Sequence, residues 1–227
     1  MNFIRSKFSW RFFIFTIVAV LITRMPVIGD YASIINTLIH ESGHALVALF
    51  GGEVHHISLF ANTEGVTYTR HSNWFGGVFT GAAGYVFSSF MAFIAFWLLG
   101  KKKDKVLILI LLGFIILNLV FWVRNAYGIF WLISFGAGFA FLLKKGSPSL
   151  IQNVLLLIAS VMLVESVTSA FEIMLLSFMS PLAAGDAANL AASTLLPAQL
   201  FGIIFVVQAL LFCYLSIKKG VFKLNSH

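Results

Sequence analysis

Residues His40-Glu41-Ser42-Gly43-His44 set two imidazoles four positions apart, with a carboxylate beside the first. On a helix, residues four apart are neighbours on one face, so both rings can point at a single ion. The flanking runs Asn36-Thr37-Leu38-Ile39 and Ala45-Leu46-Val47-Ala48-Leu49-Phe50 support that helix. Neutral imidazole nitrogen binds zinc at about 2.0–2.1 Å, and a catalytic zinc site keeps one position open for water. Glu41 is placed to act on that water as a general base. The expected chemistry is metal-assisted hydrolysis with one zinc ion per chain. Burying three polar groups in an apolar helix costs several kcal/mol unless something compensates, and a metal compensates well.

Two histidines do not complete a zinc site, so a third protein ligand is needed. The acids available are Asp186, Glu165, Glu172, Asp30 and Glu64. Glu165 and Glu172 are seven apart and share a helix face, which also reads as a polar stripe turned to a bundle interior. Asp186 lies in the small-residue stretch Ala183 to Asn189, where it also reads as a helix N-cap. Asp30 and Glu64 sit at segment ends, where solvated carboxylates are ordinary. Residue chemistry alone leaves the choice open. His55 and His56 are adjacent on an expected strand and point to opposite faces, so they do not chelate one ion together. His71 and His227 lie in polar ends and carry no signal. The single Cys213 sits in an apolar run without an intrachain partner.

The elements that position these residues are apolar. Of 227 residues, 60% are hydrophobic and 10% charged, with 25 phenylalanines, whereas soluble domains carry about 25% charged residues. That excludes a soluble globular enzyme, a disordered chain and a disulfide scaffold. Twelve of the 15 basic residues fall into four clusters: Arg5/Lys7/Arg11, Lys101/Lys102/Lys103/Lys105, Lys144/Lys145 and Lys218/Lys219/Lys223. Each borders a long apolar run, which is the positive-inside pattern of a multi-pass membrane protein. A nucleic-acid surface would gather its basic residues on one folded face, so the net charge of +7 points to a lipid bilayer and not to nucleic acid. Nothing in the sequence addresses the oligomeric state.

Apolar segments run over 12–28, 34–50, 75–99, 106–123, 126–143, 150–178 and 197–217. The first is followed by Thr23-Arg24-Met25-Pro26, not by a small-residue cleavage site. Residues 54–60 and 66–70 read as two short strands about a turn at Ala61 to Gly65. Arg124-Asn125 reads as a tight interfacial turn. Gly77, Gly81 and Gly84 give segment 75–99 a small face suited to close helix packing. The fold class is an all-α polytopic membrane protein of six to seven apolar helices, with a short β-hairpin after the zinc-binding helix. It reads as one domain over 1–227, with a core motif region at 34–100 and a third-ligand region at 181–217. Three segments separate Arg11 from Lys101, and an odd number would put like-charged clusters on opposite sides. Segment 34–50 is therefore expected to enter only part-way, with the strand pair folding back. Residues 72 and 103 then lie on opposite sides. The same count opens the zinc helix away from the lysines.

The run His40-Glu41-Ser42-Gly43-His44-Ala45, then Gly51-Gly52, a strand pair and the helix from Gly77 to Gly84 resembles the site-2 protease family of intramembrane zinc metallopeptidases. It looks most like the compact bacterial B-type branch without PDZ domains. The resemblance implies an integral, multi-pass protein of the cytoplasmic membrane if the source is bacterial. It also implies a transmembrane or membrane-anchored protein substrate and a zinc-bound water activated by Glu41. The family's third ligand is an aspartate, usually in a Leu-Asp-Gly context. Here Gly185-Asp186-Ala187 stands in that place, with the glycine before the aspartate, and Thr194-Leu195-Leu196-Pro197 follows. The resemblance thus implies His40, His44 and Asp186 as metal ligands. The family's Gly-Pro pair after the strands is altered, since Gly84 is followed by Tyr85. Family members generally open near the cytosol. The implied site is a polar cavity lined by Glu41, Asp186 and Glu165.

Overall fold

A computed structural model describes residues 10–223 of the protein, with side chains through Lys218. Arg5, Lys7 and His227, and the side chains of Lys219 and Lys223, lie outside the described residues. The helices are α1 (Trp10–Thr23), α2 (Ile28–Ala48), α3 (Trp74–Leu99), α4 (Asp104–Leu117), α5 (Ala126–Lys145), α6 (Pro148–Met179), α7 (Gly185–Thr194) and α8 (Ala198–Lys223). A π-helical stretch, Asn118–Trp122, extends α4. Strands β1 (Gly52–Leu59) and β2 (Gly65–His71) form an antiparallel pair between α2 and α3. α3, α4 with its π extension, α5, α6 and α8 are each long and apolar enough to cross a bilayer. The protein is an integral membrane protein of the expected class, with the hairpin directly after the His40–His44 helix.

The first two apolar segments are divided differently from the sequence reading. The helix expected over 12–28 ends at Thr23, and α2 begins at Ile28 instead of 34. Between them the chain bends by 109°. Val27 makes the bend with a positive φ of 66°, and the Asp30 carboxylate accepts the Val27 N–H. Gly29 allows the two helices to touch there, since a Cβ would lie 2.4 Å from the Ile22 carbonyl oxygen. With 14 residues, α1 reaches only about 21 Å, short of a hydrocarbon core about 30 Å thick. α1 and α2 pass as a membrane segment only as a pair, either a broken span or a re-entrant loop. With the bent pair counted as one span the odd crossing count disappears: two spans separate Arg11 from Lys101, two separate Lys105 from Lys144, and two separate Lys145 from Lys218. Neither α1 nor the metal-motif helix α2 is a span by itself; only the bent pair is apolar and long enough together.

α3 runs through the middle, packed by α2, α6, α7 and α8. The larger core is built of α1 to α6 and includes the fully buried Trp131, Phe12, Phe96, Ile34, Ile35 and Leu38. The Trp131 indole donates to the Tyr31 carbonyl and ties α5 to α2. A second cluster, with Tyr85, Ala170, Ala184, Ala187, Leu190, Ala198 and Phe205, joins α3, α6, α7 and α8. Its alanines let the short α7 approach closely.

Arg124-Asn125 is a turn between helices, and it also closes one edge of the hairpin. Val123 bridges Ile57 in parallel, and the Arg124 N–H donates to the Ile57 carbonyl. The Asn125 amide both donates to the Leu59 carbonyl and accepts the Leu59 N–H. β2 is left as the edge strand facing the site. His55 is the extra residue at a break in register between Val54 and His56, while His56 stacks on Tyr68.

Candidate metal centre

α2 presents His40 and His44 on one face, and α7 brings Asp186 across to them. His40 Nε2 lies 3.2 Å from Asp186 Oδ2, His44 Nε2 lies 3.2 Å from the same oxygen, and the two Nε2 atoms are 3.0 Å apart. These three groups could hold a metal ion. Tetrahedral ligands about 2.05 Å from a zinc ion sit about 3.3 Å from one another, so the spacing fits a zinc-sized ion. The tautomer fits as well. His44 Nδ1 lies 2.6 Å from the Thr80 carbonyl oxygen, which can only accept, so Nδ1 carries the proton and Nε2 turns its lone pair to the site. A metal-ligating histidine is commonly held in this way through its second nitrogen.

Glu165 and Glu172 do not join this group. Glu165 faces the hydroxyls of Thr23 and Ser33 near the α1–α2 bend, and Glu172 is exposed on α6. Asp30 caps the start of α2, and Glu64 accepts from the Asn62 amide in the hairpin turn. The glycine before Asp186 has a backbone reason. Gly185 takes φ +46°, a left-handed conformation that favours glycine, as the chain leaves a 3-10 turn at Pro181–Ala183 and enters α7. Asp186 is therefore in the first turn of α7 and is not its N-cap, which is Ala184.

The small face of α3 serves the site more than a helix seam. A Cβ on Gly84 would lie 2.4 Å from both His40 Nε2 and His44 Nε2. Gly81 makes room for Leu190 of α7, 3.1 Å from its would-be Cβ. The Tyr85 ring meets His40 edge-on at 4.6 Å and stacks on Phe205 at 4.5 Å, bracing the first imidazole from the position where the family pattern carries proline.

Glu41 is buried, and the hairpin holds it. Thr67 Oγ1 donates to Glu41 Oε2 at 2.6 Å. A Cβ on Gly65 would lie 2.6 Å from Glu41 Oε1. Thr37 Oγ1 donates to the Thr63 carbonyl and fastens the turn to α2. Sequence reasoning missed Thr67 and Gly65 because the hairpin signalled only a turn and an edge.

His40, Glu41, His44 and Asp186 line one cavity of about 680 Å³. Its walls include Thr67, Thr69 and His71 of β2, Gly77 and Gly81 of α3, and Asn189 and Ser193 of α7. Asn36 and Thr80 also line it, and their Oδ1 and Oγ1 atoms are buried without a hydrogen-bond partner. Glu64 is a lining carboxylate, and Glu165 is not. His71, which carried no signal in the sequence, lies in this wall with Nε2 against Thr69 Oγ1. Burial pushes the His71 imidazole below its ordinary pKa.

Fold and site together define a multi-pass membrane protein whose two histidines and one aspartate can grip a single metal ion inside the helical bundle. The Peptidase M50B-like family model matches residues 13–216, from α1 to α8, and the chain belongs to that family, among the site-2 proteases. No curated protein and no solved structure matches the chain.

Proposed function

We propose that the protein is an intramembrane zinc metalloprotease that hydrolyses peptide bonds in or near transmembrane segments of other proteins. The observation that carries this reading is the convergence of His40, His44 and Asp186 beside a carboxylate held by its own hydrogen bond. Zinc at such a centre supplies Lewis-acid polarisation of a carbonyl and lowers the pKa of water toward about 7. His40 and His44 would hold the zinc through Nε2 together with Asp186, and the Thr80 carbonyl keeps the His44 ring from rotating. Glu41 takes a proton from the attacking water as the new C–O bond forms. It returns that proton to the departing amine as the C–N bond breaks. Thr67 aims the Glu41 oxygen and Gly65 leaves it room.

The substrate must present an extended backbone, because a helix hides its carbonyls in internal hydrogen bonds. The pairing of Ser58 with Val66 and of His56 with Tyr68 turns the backbone groups of Gly65, Thr67 and Thr69 to the outer side of β2. A peptide can add there as a further strand, recognised through its main chain, which suits substrates of varied apolar side chains. The deciding experiment measures zinc per chain and cleavage of transmembrane substrates for the protein in detergent. Glu41→Gln is expected to keep zinc and lose cleavage by roughly 10²- to 10⁴-fold, while His44→Ala and Asp186→Ala lose zinc. A zinc-free wild-type protein that cleaves nothing would make it a non-catalytic relative.

A further inference from the structure

We infer that the metal-site cleft opens on the non-cytoplasmic face of the membrane, so that its substrates are segments whose cleavable bond lies in that half of the bilayer. The substrate clause rests on the protease reading; the orientation does not.

The basic clusters share one end of the molecule. Arg11 donates to Gln152 and Asn153, which places the start of α1 beside the start of α6 and hence beside Lys144 and Lys145. Phe12 packs on Phe96, which places the same point beside the end of α3 and the Lys101–Lys105 cluster. Lys218 lies 20 residues beyond Ala198 on α8, a rise of about 30 Å, and so returns to that end. Eight described basic residues gather there: Arg11, Lys101, Lys102, Lys103, Lys105, Lys144, Lys145 and Lys218.

The hairpin, the α4–α5 turn and the links around α7 occupy the other end, with Arg70 and Arg124. Both are accounted for locally. Arg70 sits opposite Glu53 in the strand register, and the Arg124 guanidinium donates to the carbonyls of Val120, Phe121 and Val123. Lys and Arg in short loops stay on the cytoplasmic side, and the Gly100–Lys103 and Gly146–Ser147 links are short. Of the eleven described basic residues, eight lie at the basic end, Arg70 and Arg124 at the other, and Arg24 at the α1–α2 bend near Glu165; that excess orients the bundle with its hairpin outward.

The cleft belongs to that outward end. Thr80 and Gly84, which touch the imidazoles, lie 6 and 10 residues from Trp74 at the hairpin end of α3, about 9 and 15 Å of rise. They lie about 28 and 22 Å from Leu99 at the basic end. The hairpin residues Thr63 and Glu64 and the α7 residues Asn189 and Ser193 line the same cavity. Toward the basic end the bundle is closed by the buried Ile34, Ile35, Phe96, Leu99, Leu155 and Leu156. Water, metal and peptide therefore reach the site from the hairpin side.

Cysteine labelling in spheroplasts of a bacterial host tests this. In full-length Cys213→Ala protein, Ala61→Cys marks the exposed hairpin turn and Lys103→Cys the exposed α3–α4 link. A membrane-impermeant maleimide is expected to label Ala61→Cys in intact spheroplasts and Lys103→Cys only after permeabilisation. The reverse pattern, labelling of both in intact spheroplasts, or labelling of both only after permeabilisation overturns the inference. Adding Glu41→Gln to each variant is expected to leave the pattern unchanged. The readout needs no activity, so loss of the protease reading and loss of the orientation are told apart.

Discussion

Gly84→Ala isolates the metal centre from the fold. A methyl there would lie 2.4 Å from each imidazole Nε2, whereas ordinary contact is about 3.5–4.0 Å. Relief on the α3 side is limited, because Gly84 is buried in the middle of a 26-residue helix packed by four others. The imidazoles must therefore retreat by about 1 Å. A metal site tolerates about ±0.2 Å in its ligand distances, so a shift of this size removes at least one ligand. Loss of a mere supporting contact weakens metal binding by about 10- to 100-fold, and displaced ligands should exceed 100-fold. Helix propensity pushes the other way, since alanine is favoured over glycine in a helix interior by about 1 kcal/mol. The expected result is a protein that still folds in detergent, the helix-propensity gain offsetting part of the overpacking cost of about 1–3 kcal/mol, yet holds little zinc. Zinc per chain by elemental analysis, affinity by chelator competition and thermal unfolding read these separately. Gly138→Ala on α5, where a Cβ meets nothing within 4 Å, is the control and should keep its zinc. Stoichiometric zinc at wild-type affinity in Gly84→Ala would refute the placement of the two imidazoles.

Thr67→Val removes the hydroxyl that holds Glu41. It should keep zinc and lower kcat by about 10- to 100-fold, the worth of a hydrogen bond to a charged group, while Thr67→Ser restores most of the rate. Gly65→Ala should likewise keep zinc and lose cleavage, because its methyl would meet the Glu41 carboxylate; lost zinc in this variant would argue against a role confined to Glu41. Asn125→Ala opens two hydrogen bonds on the β1 edge and should lower unfolding stability by about 1–3 kcal/mol with zinc content unchanged. Removing the metal with a chelator should abolish cleavage, and zinc alone should restore it; full activity after verified metal removal would exclude metal-assisted hydrolysis.

Much of this protein is local and could be read residue by residue. The long apolar runs specify spanning helices because a bilayer demands some 20 consecutive apolar residues with every backbone group satisfied. α3, α5, α6 and α8 accordingly begin and end within a few residues of the expected segments, α8 running on to Lys223. His40 and His44 share a face through helix periodicity alone. The strand pair followed from turn residues and alternation. The bend at Arg24–Val27 was hidden because its residues lie in or beside one apolar stretch, and hydropathy has no measure of direction.

The chain of residues by itself determined the membrane class, the paired imidazoles and the neighbouring acid, since these depend on composition and on spacing within one element. The tertiary structure alone decided what comes from elsewhere. Asp186 arrives from α7, 142 positions after His44, and comes within reach of both imidazoles, as Glu165 and Glu172 do not, by proximity that no local pattern encodes. Gly84 leaves space for two rings, Thr67 steadies Glu41, and Asn125 seals the free edge of β1. Each of these is a contact between distant segments, and its existence depends on how helices pack, not on what any one of them prefers.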